Sequence, residues 1–293
     1  MNEKIEIIYQ DKNLIAVNKP AGLLVHPVRG RLAESAASAA SRRLSSNGAR
    51  PTATGKEKTL SDWLAKKYPE IKKVGDDPKT RPGIVHRLDK DTSGIIVVPR
   101  NQKYFEYLKN LFQEHKIKKT YLALVWGEIK NKKGVIDKPI SLKPGTTKRT
   151  VFKGKMGKPA VTEYELIKTF NYPRKSVSNQ RESATFSLLK VLPRTGRTHQ
   201  IRVHLASIGH PIVGDSLYGS KKLALSPSVL SSGSKDLSKG IPFKLERQFL
   251  HAKSLEFNLS EKHRIKIEAD LPQELNNVLK KLEILTRRHY SIL

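Results

Sequence analysis

Short β-strand runs and helical stretches do not alternate regularly along this 293-residue chain. β-branched or alternating apolar runs predict strands at 4–9, 14–18, 95–98, 120–126, 149–152, 160–168, 184–192, 253–259 and 264–269. Apolar residues at helical spacing predict helices at 60–71, 102–115, 198–208 and 272–285. A doubly wound fold needs strands that alternate strictly with helices. The pattern therefore predicts an α+β fold with a mixed or antiparallel sheet.

Three polar segments interrupt these elements, at about 29–58, 171–184 and 220–244. The first is rich in Ser, Ala, Arg and Gly, a composition that cannot bury a core. No repeat of fixed period is present, and no linker divides the chain into two halves. We therefore predict one domain over 1–293 that carries three insertions.

The charge of the chain is strongly positive, with 56 Lys and Arg against 27 Asp and Glu, a formal net charge of +29. Such a field attracts nucleic acid, anionic membranes or acidic proteins, although a solvated basic surface is the simpler alternative. A membrane is the weaker partner, because no apolar run approaches the ~18–20 residues that span a bilayer. The first residues do not resemble a secretory signal, so we expect a cytoplasmic protein, and its charge favours a monomer.

Several classes of site are missing from the sequence. The chain has no cysteine, which excludes disulfides, thiolate nucleophiles and thiolate metal sites. His199 and His204 lie five residues apart, on different faces of the predicted helix, so we expect no metal. Neither a phosphate loop nor a dinucleotide fingerprint is present, and no G-x-S-x-G elbow occurs.

The segment "HRLDKDTSG" (86–94) places Asp89 in a turn before a β-branched run. Its carboxylate could accept backbone N–H bonds in an Asx-turn. It could instead form an acid–base pair with Asp91, although a spacing of two residues does not direct both groups into one cleft. In a third interpretation, Asp89 is a nucleophile or electrostatic stabiliser at a sugar carbon.

The segment 193–219 combines arginines, histidines and glycines around one short predicted helix. It could be a basic helix that contacts phosphates. Alternatively, the guanidinium of Arg202 could form a two-pronged bond to a carboxylate. The second interpretation couples Arg202 to Asp89.

The motifs and their order resemble those of the RluA-type pseudouridine synthases over nearly the whole chain. The matching segments are "NKPAGLLVHP" (18–27), "HRLDKDTSG" (86–94), "KTYLALVWG" (119–127), "GRTHQIRVHLASIGHPIVGDSLYG" (196–219) and "LHA" (250–252). The resemblance implies a pseudouridine synthase-type catalytic domain, with a mixed, mostly antiparallel sheet, flanking helices and a central cleft. The reaction it implies is the isomerisation of uridine to pseudouridine in structured RNA.

The resemblance also implies roles for individual residues. Asp89 falls on the family's catalytic aspartate, which acts at C1′ of a flipped-out uridine. Tyr121 falls on the active-site tyrosine, which packs on the uracil and helps proton removal, and Arg202 on the arginine that pairs with the aspartate. The remaining expected roles are opening of the RNA by Arg87, support of the turn by His86 and Thr92, lining of the uracil pocket by Ile201 and Leu255, and RNA binding by Arg197 and His199.

The substrate is less specified than the reaction. Large-subunit ribosomal RNA is the first expectation and transfer RNA the second, and because the isomerisation conserves every atom we expect no cofactor, nucleotide or metal. Many family members carry an N-terminal S4-type domain, but here the first motif begins within twenty residues, so we expect none. The 29–58 insertion would then fold on RNA or act as a spacer. A noncatalytic RNA-binding protein with this fold and an N-glycosidase that releases uracil are the alternatives.

Overall fold

The computed structural model describes residues 5–27, 59–146, 148–152, 155–174, 182–219, 243, 245–260 and 263–290. The strands are β1 (Glu6–Gln10), β2 (Leu14–Lys19), β3 (Ser93–Pro99), β4 (Lys118–Trp126), β5 (Lys133–Asp137), β6 (Ile140–Leu142), β7 (Arg149–Thr150), β8 (Lys155–Lys158), β9 (Val161–Arg174), β10 (Glu182–Pro193), β11 (Leu250–Ser260) and β12 (His263–Glu268). The helices are α1 (Leu60–Lys67), α2 (Gln102–Gln113), α3 (Gln200–Ser207) and α4 (Gln273–Tyr290), and a 3₁₀ turn covers Pro69–Lys73.

One large sheet organises the described residues, in the order β1-β2-β3-β11-β4-β10-β9-β5 with β12 paired to β11. The pairing of β3 with β11 is parallel, whereas the other described pairs are antiparallel. A second sheet, β7-β6-β8, is inserted between β5 and β9. The predicted α+β fold with a mixed, mostly antiparallel sheet is therefore confirmed.

Strand β3 lies near the centre of the large sheet, and all seven of its residues are buried. Ile96 and Val98 pack in one cluster with Leu60 and Leu64 of α1, and Ile95 and Val97 pack in another with residues of α2. Because both faces are covered, the strand reads as a continuous apolar run instead of an alternating one. The turn that carries Asp89 enters this rigid strand directly.

Glycine at position 94 permits the parallel contact of β3 with β11. Its φ is +117°, and a Cβ at this position would overlap the backbone of Ala252 on β11. A larger residue would therefore push the two central strands apart. The close approach fixes the start of β3 beside β11, two strands that both border the site.

The predicted elements are all present, but β5, β6 and β8 were not predicted, and several bounds differ. Helix α1 begins with a Thr59 cap, as a capping box with Asp62, but it ends at Lys67 and continues as a 3₁₀ turn that starts at Pro69. The expected loop over 171–184 is narrower, because β9 continues to Arg174 and pairs with β10 from Glu182 onward. The insertion at 29–58 lies outside the described residues, as does the one at 220–244 apart from residue 243.

Among the helices of the described residues, none combines the length and the apolarity that crossing a bilayer requires.

Candidate active site

A cleft of about 520 Å³ opens beside the turn that precedes β3. Its walls come from the 85–92 segment, from β4 and from the 193–202 segment, and it also touches α2 and the start of β11. The predicted site residues among its lining are His86, Arg87, Asp89, Thr92, Tyr121, Arg197, His199, Ile201 and Arg202. Segments far apart in sequence therefore meet at one cleft, as the motifs predicted.

The backbone of the Asp89 turn is held from three directions. The N–H of Thr92 donates to the Asp89 carbonyl at 3.1 Å. The fully buried Lys19 donates to the carbonyl of Lys90 at 2.9 Å, and Arg247 donates to that of Asp91 at 3.1 Å. These cations fix the turn through its carbonyl groups, which leaves the Asp89 side chain free to face the cleft. Asp91 is exposed and is not a lining residue, so the two carboxylates do not share the cleft.

The guanidinium of Arg202 lies between two carboxylates. One of its terminal nitrogens donates to Oδ2 of Asp89 at 3.0 Å. The two-pronged bond instead goes to Asp215, through Nε at 2.7 Å and the other terminal nitrogen at 2.9 Å. The coupling of Arg202 to Asp89 is therefore present, but the partner of its planar fork is Asp215, which sequence reasoning missed.

Asp215 holds the guanidinium of Arg202 in place. Its side chain is fully buried, and it also accepts the backbone N–H groups of Leu217 and Tyr218, each at 2.9 Å. Burial works to raise the pKa of Asp215, but Arg202 and these N–H bonds outweigh it, so the pKa lies below its usual value. Burial likewise opposes the charge of Arg202, but the two carboxylates raise its pKa. The pair is therefore ionised in the fold.

Tyr121 projects from β4, where its backbone lies opposite Ala252 of β11 and Val191 of β10. Burial raises the pKa of its phenol, and the nearby charge of Asp89 raises it further. The side chain therefore stays a neutral phenol that offers a flat ring and an O–H group to the cleft. Lys119 lines the same cleft from two residues earlier and donates to the carbonyl of Thr195 at 3.1 Å.

His199 precedes helix α3 in the left-handed region, with φ at +56°. His, Asn and Asp are the non-glycine residues that adopt this region most readily. Its Nε2 lies 4.0 Å from Oδ1 of Asp89, and its Nδ1 lies 2.9 Å from the hydroxyl of Tyr218. The next residue, Gln200, ties down the turn by accepting from Thr195 and from the backbone N–H of Arg197.

The other predicted residues are of two kinds: exposed side chains at the edge of the cleft, and side chains that support the Asp89 turn. Arg87 and Arg197 line the cleft with exposed side chains, as RNA-contacting residues would. His86 stacks on Phe112 at 4.6 Å and accepts the N–H of Val97 at 2.9 Å. Burial lowers the pKa of His86 to about 3, so it is a neutral support of the turn.

Leu255 does not lie where the resemblance placed it. It is 2% exposed and belongs to the core cluster of Phe257, between Lys119 on β4 and Ile267 on β12. The apolar residue of β11 that does line the cleft is Leu250. The prediction for Leu255 is therefore wrong, because its position between two strands and under α2 keeps it in the core.

Within the described ranges, no three His, Asp, Glu or Cys side chains gather as metal ligands would. The chemistry that the site offers is a fixed carboxylate beside a guanidinium, a neutral phenol and the half-buried imidazole of His199.

Comparison with known proteins identifies the family of the chain. The family model described as RNA pseudouridylate synthase matches residues 13–207, which is more than half of the chain. An "Uncharacterized RNA pseudouridine synthase" of Aquifex aeolicus is 38% identical over 230 residues, which are 78% of this chain and 61% of that protein. The "Ribosomal large subunit pseudouridine synthase D" of Nitrosomonas europaea is 34% identical over 290 residues, 98% of this chain and 68% of that protein.

A solved structure shows the same fold at lower identity. The human RNA pseudouridylate synthase domain containing 4 aligns with a TM-score of 0.58 and 24% identity, covering 95% of this chain and 93% of that one. The family model and the bacterial relatives match over the residues that carry the motifs. The chain therefore belongs to the RNA pseudouridylate synthase family, among its RluA-type members.

Proposed function

We propose that this protein converts specific uridines of large-subunit ribosomal RNA to pseudouridine, with Asp89 acting at C1′ of a flipped-out uridine. The observation that carries the proposal is the position of the Asp89 carboxylate. It is 18% exposed on the wall of the cleft, fixed through Oδ2 by Arg202, with the phenol of Tyr121 in the same cleft. A carboxylate that is oriented but still accessible suits attack on, or stabilisation of, an electron-poor sugar carbon.

The reaction balances without any added reagent. The N1–C1′ bond of uridine breaks, and its electron pair leaves with the uracil ring. The ring then turns so that C5 bonds to C1′, C5 loses its proton, and N1 gains one. Asp89 compensates the positive character of C1′ while neither bond is complete. Arg202, held by Asp215, keeps the carboxylate oriented throughout.

Tyr121 suits contact with the uracil more than the role of an ionised base. Its phenol is neutral, because burial and the charge of Asp89 both raise its pKa. A neutral ring can pack on the pyrimidine, and its O–H can take part in proton removal only through a neighbouring acceptor. Ile201 and Leu250 supply apolar contacts in the same cleft.

The uridine must leave its stack before Asp89 can reach the sugar, at a cost of a few kcal/mol. Arg87 and Arg197 lie exposed on the cleft, where contacts with phosphates can offset this cost. We propose that the side chain of Arg87 fills the space that the extruded base leaves in the RNA. With a net charge of +29, mutual repulsion favours a monomer, and we propose that it acts as one in the cytoplasm.

Ribosomal RNA is favoured over transfer RNA by the names of the relatives, several of which are ribosomal large subunit pseudouridine synthase D. The test incubates the full chain with unmodified large-subunit ribosomal RNA and, separately, with unmodified transfer RNA. Pseudouridines are then mapped by chemical labelling, and Asp89→Asn serves as the control. We expect discrete sites in the ribosomal RNA and none with the variant.

Other results would replace the proposal in defined ways. Conversion in transfer RNA alone would change the substrate, and release of free uracil would indicate an N-glycosidase. Tight RNA binding without either product would indicate a noncatalytic RNA-binding protein.

A further inference from the structure

A chain of hydrogen bonds that has no part in the steps above ends at His199, beside the second oxygen of Asp89. The backbone N–H of Arg149 on β7 donates to the hydroxyl oxygen of Tyr218 at 2.8 Å. That hydroxyl lies 2.9 Å from Nδ1 of His199. On the other side of the ring, Nε2 lies 4.0 Å from Oδ1 of Asp89.

This chain determines which nitrogen of His199 carries the proton. The Tyr218 oxygen accepts a bond from Arg149, and among the described residues Nδ1 of His199 is the acceptor that its own hydrogen can reach. A neutral imidazole that accepts at Nδ1 carries its hydrogen on Nε2. Burial lowers the pKa of His199; the charge of Asp89 opposes this shift and that of Arg202 adds to it. The ring is therefore a neutral N–H donor that points toward Asp89.

The donor is held firmly in place. His199 has a left-handed backbone at the start of α3, and its ring meets the ring of Tyr218 edge-on at 5.6 Å. Gln200 locks the preceding turn and also donates to the Val161 carbonyl at 3.0 Å. A non-glycine residue in this conformation at an active site is a common sign of a functional constraint.

The distance between Nε2 of His199 and Oδ1 of Asp89 suits a bridge through one hydroxyl group. Two atoms 4.0 Å apart are too distant for a direct hydrogen bond. One oxygen atom can nevertheless lie about 2.8–2.9 Å from both, accepting from the nitrogen and donating to the carboxylate. A carboxylate has about four acceptor sites, so this bond and the one to Arg202 leave lone pairs of Asp89 for the sugar carbon.

We propose that His199 recognises the 2′-hydroxyl of the target ribose by donating from Nε2–H to O2′. The inference rests on the proposed function, because an Asp89 that reaches C1′ necessarily lies beside the substituent of the adjacent C2′. The 2′-hydroxyl is the group by which a protein distinguishes RNA from DNA at a given nucleotide. His199 is then a specificity-determining residue that restricts the reaction to ribose.

The test compares two synthetic RNA hairpins that differ in one atom. Both span the uridine that the protein converts in ribosomal RNA, and one carries 2′-deoxyuridine at that position. We expect wild-type kcat/KM to favour the ribose hairpin by at least about tenfold, the value of one good hydrogen bond. His199→Asn should reduce this ratio several-fold, because only the bond from O2′ to Asp89 remains. Asn adopts the same backbone region, but its shorter amide does not reach the position of Nε2.

The matched control is His204→Asn, the same change five residues later. His204 is buried and contacts Thr162 and the carbonyl of Lys138 instead of Asp89. His204→Asn should lower the stability of the protein without changing the ratio of kcat/KM between the two hairpins. If the deoxy hairpin reacts too slowly to follow, its Ki as a competitive inhibitor gives the same comparison.

Two results would overturn the inference. One is a wild-type ratio near one, and this measurement does not depend on whether any variant folds. The other is an equal loss of kcat/KM on both hairpins in His199→Asn. Failure of the wild-type protein to convert any RNA would instead contradict the proposed function.

Discussion

The two carboxylates that Arg202 binds differ in burial, so the same substitution at each should have opposite consequences. Asp215 is fully buried and receives two charge-assisted bonds, at 2.7 and 2.9 Å. In Asp215→Asn the amide can accept only one of them and turns its own N–H groups toward the other donor. Breaking a buried ion pair from one side costs ~3–5 kcal/mol. In a chain of this length that corresponds to a fall in Tm on the order of 5–10 °C.

Asp89→Asn should have little effect on stability but should abolish turnover. The Asp89 side chain is 18% exposed and receives one bond from Arg202, which keeps Asp215 as its partner after the change. A partly exposed pair of this kind contributes ~1 kcal/mol or less. In the proposed mechanism the variant loses the charge at C1′, whereas the basic residues proposed to contact phosphates are unchanged. We therefore expect RNA affinity to stay within a few-fold of wild type.

Urea unfolding and thermal unfolding measure the stability of both variants, and pseudouridine formation in ribosomal RNA measures turnover. The prediction is a crossed pattern, in which Asp215→Asn is the less stable variant and Asp89→Asn is the inactive but stable one. An equal loss of stability in the two variants would refute the division of roles. So would an Asp215→Asn protein as stable as wild type.

Three further predictions concern the same region. Arg202→Lys should lower kcat/KM at least about tenfold in the same assay, because an ammonium cannot bond two carboxylates through a planar fork. His86 has its pKa lowered to about 3 from 6.5, so below pH 6.5 the unfolded chain takes up a proton that the fold excludes. Stability should then fall on acidification by up to ~1.4 kcal/mol per pH unit, and urea titrations of His86→Gln should show a flatter acid limb. Gly94→Ala should cost ~1–3 kcal/mol more than Gly22→Ala by urea unfolding, because both have positive φ but only the former meets the Ala252 backbone.

The sequence predicted the residues of the cleft better than their pairing. The motifs placed Asp89, Tyr121 and Arg202 at one site, because each motif has its own residue types and spacing. Asp89 was expected to accept the two-pronged bond of the Arg202 guanidinium. The residue that accepts it is Asp215, thirteen positions away from Arg202 along the chain. Both assignments satisfy the chemistry of a guanidinium, and only the tertiary position of the 215–218 turn decides between them. The sequence does offer this partner, because Asp215 is the acidic residue of "GDSLYG" at the end of the third motif.

Apolar lining residues were harder to predict than charged ones. The apolar residues of β11 are alike in character, and the strand is irregular between Ala252 and Ser254. Such an irregularity changes how the residues beyond it meet the neighbouring strand, and its position does not follow from composition. The family resemblance assigned Leu255 to the pocket, whereas Leu250 lines it. In contrast, the sequence predicted the centre of β3 at 95–98, because a strand covered on both faces needs a continuous apolar run, although the strand extends from Ser93 to Pro99.

The arrangement of Asp215, Arg202 and Asp89 also explains how a buried guanidinium can serve a carboxylate that changes its charge. If Asp89 bonds to C1′, its oxygen becomes part of a neutral ester, and an arginine paired with Asp89 alone would be left as an uncompensated buried charge. Such a charge costs several kcal/mol, which would oppose the reaction. Asp215 removes this penalty, because it binds Arg202 through two bonds that do not involve the substrate. The permanent pair therefore keeps the donor in place, while the single bond to Asp89 is free to weaken and form again during each turnover.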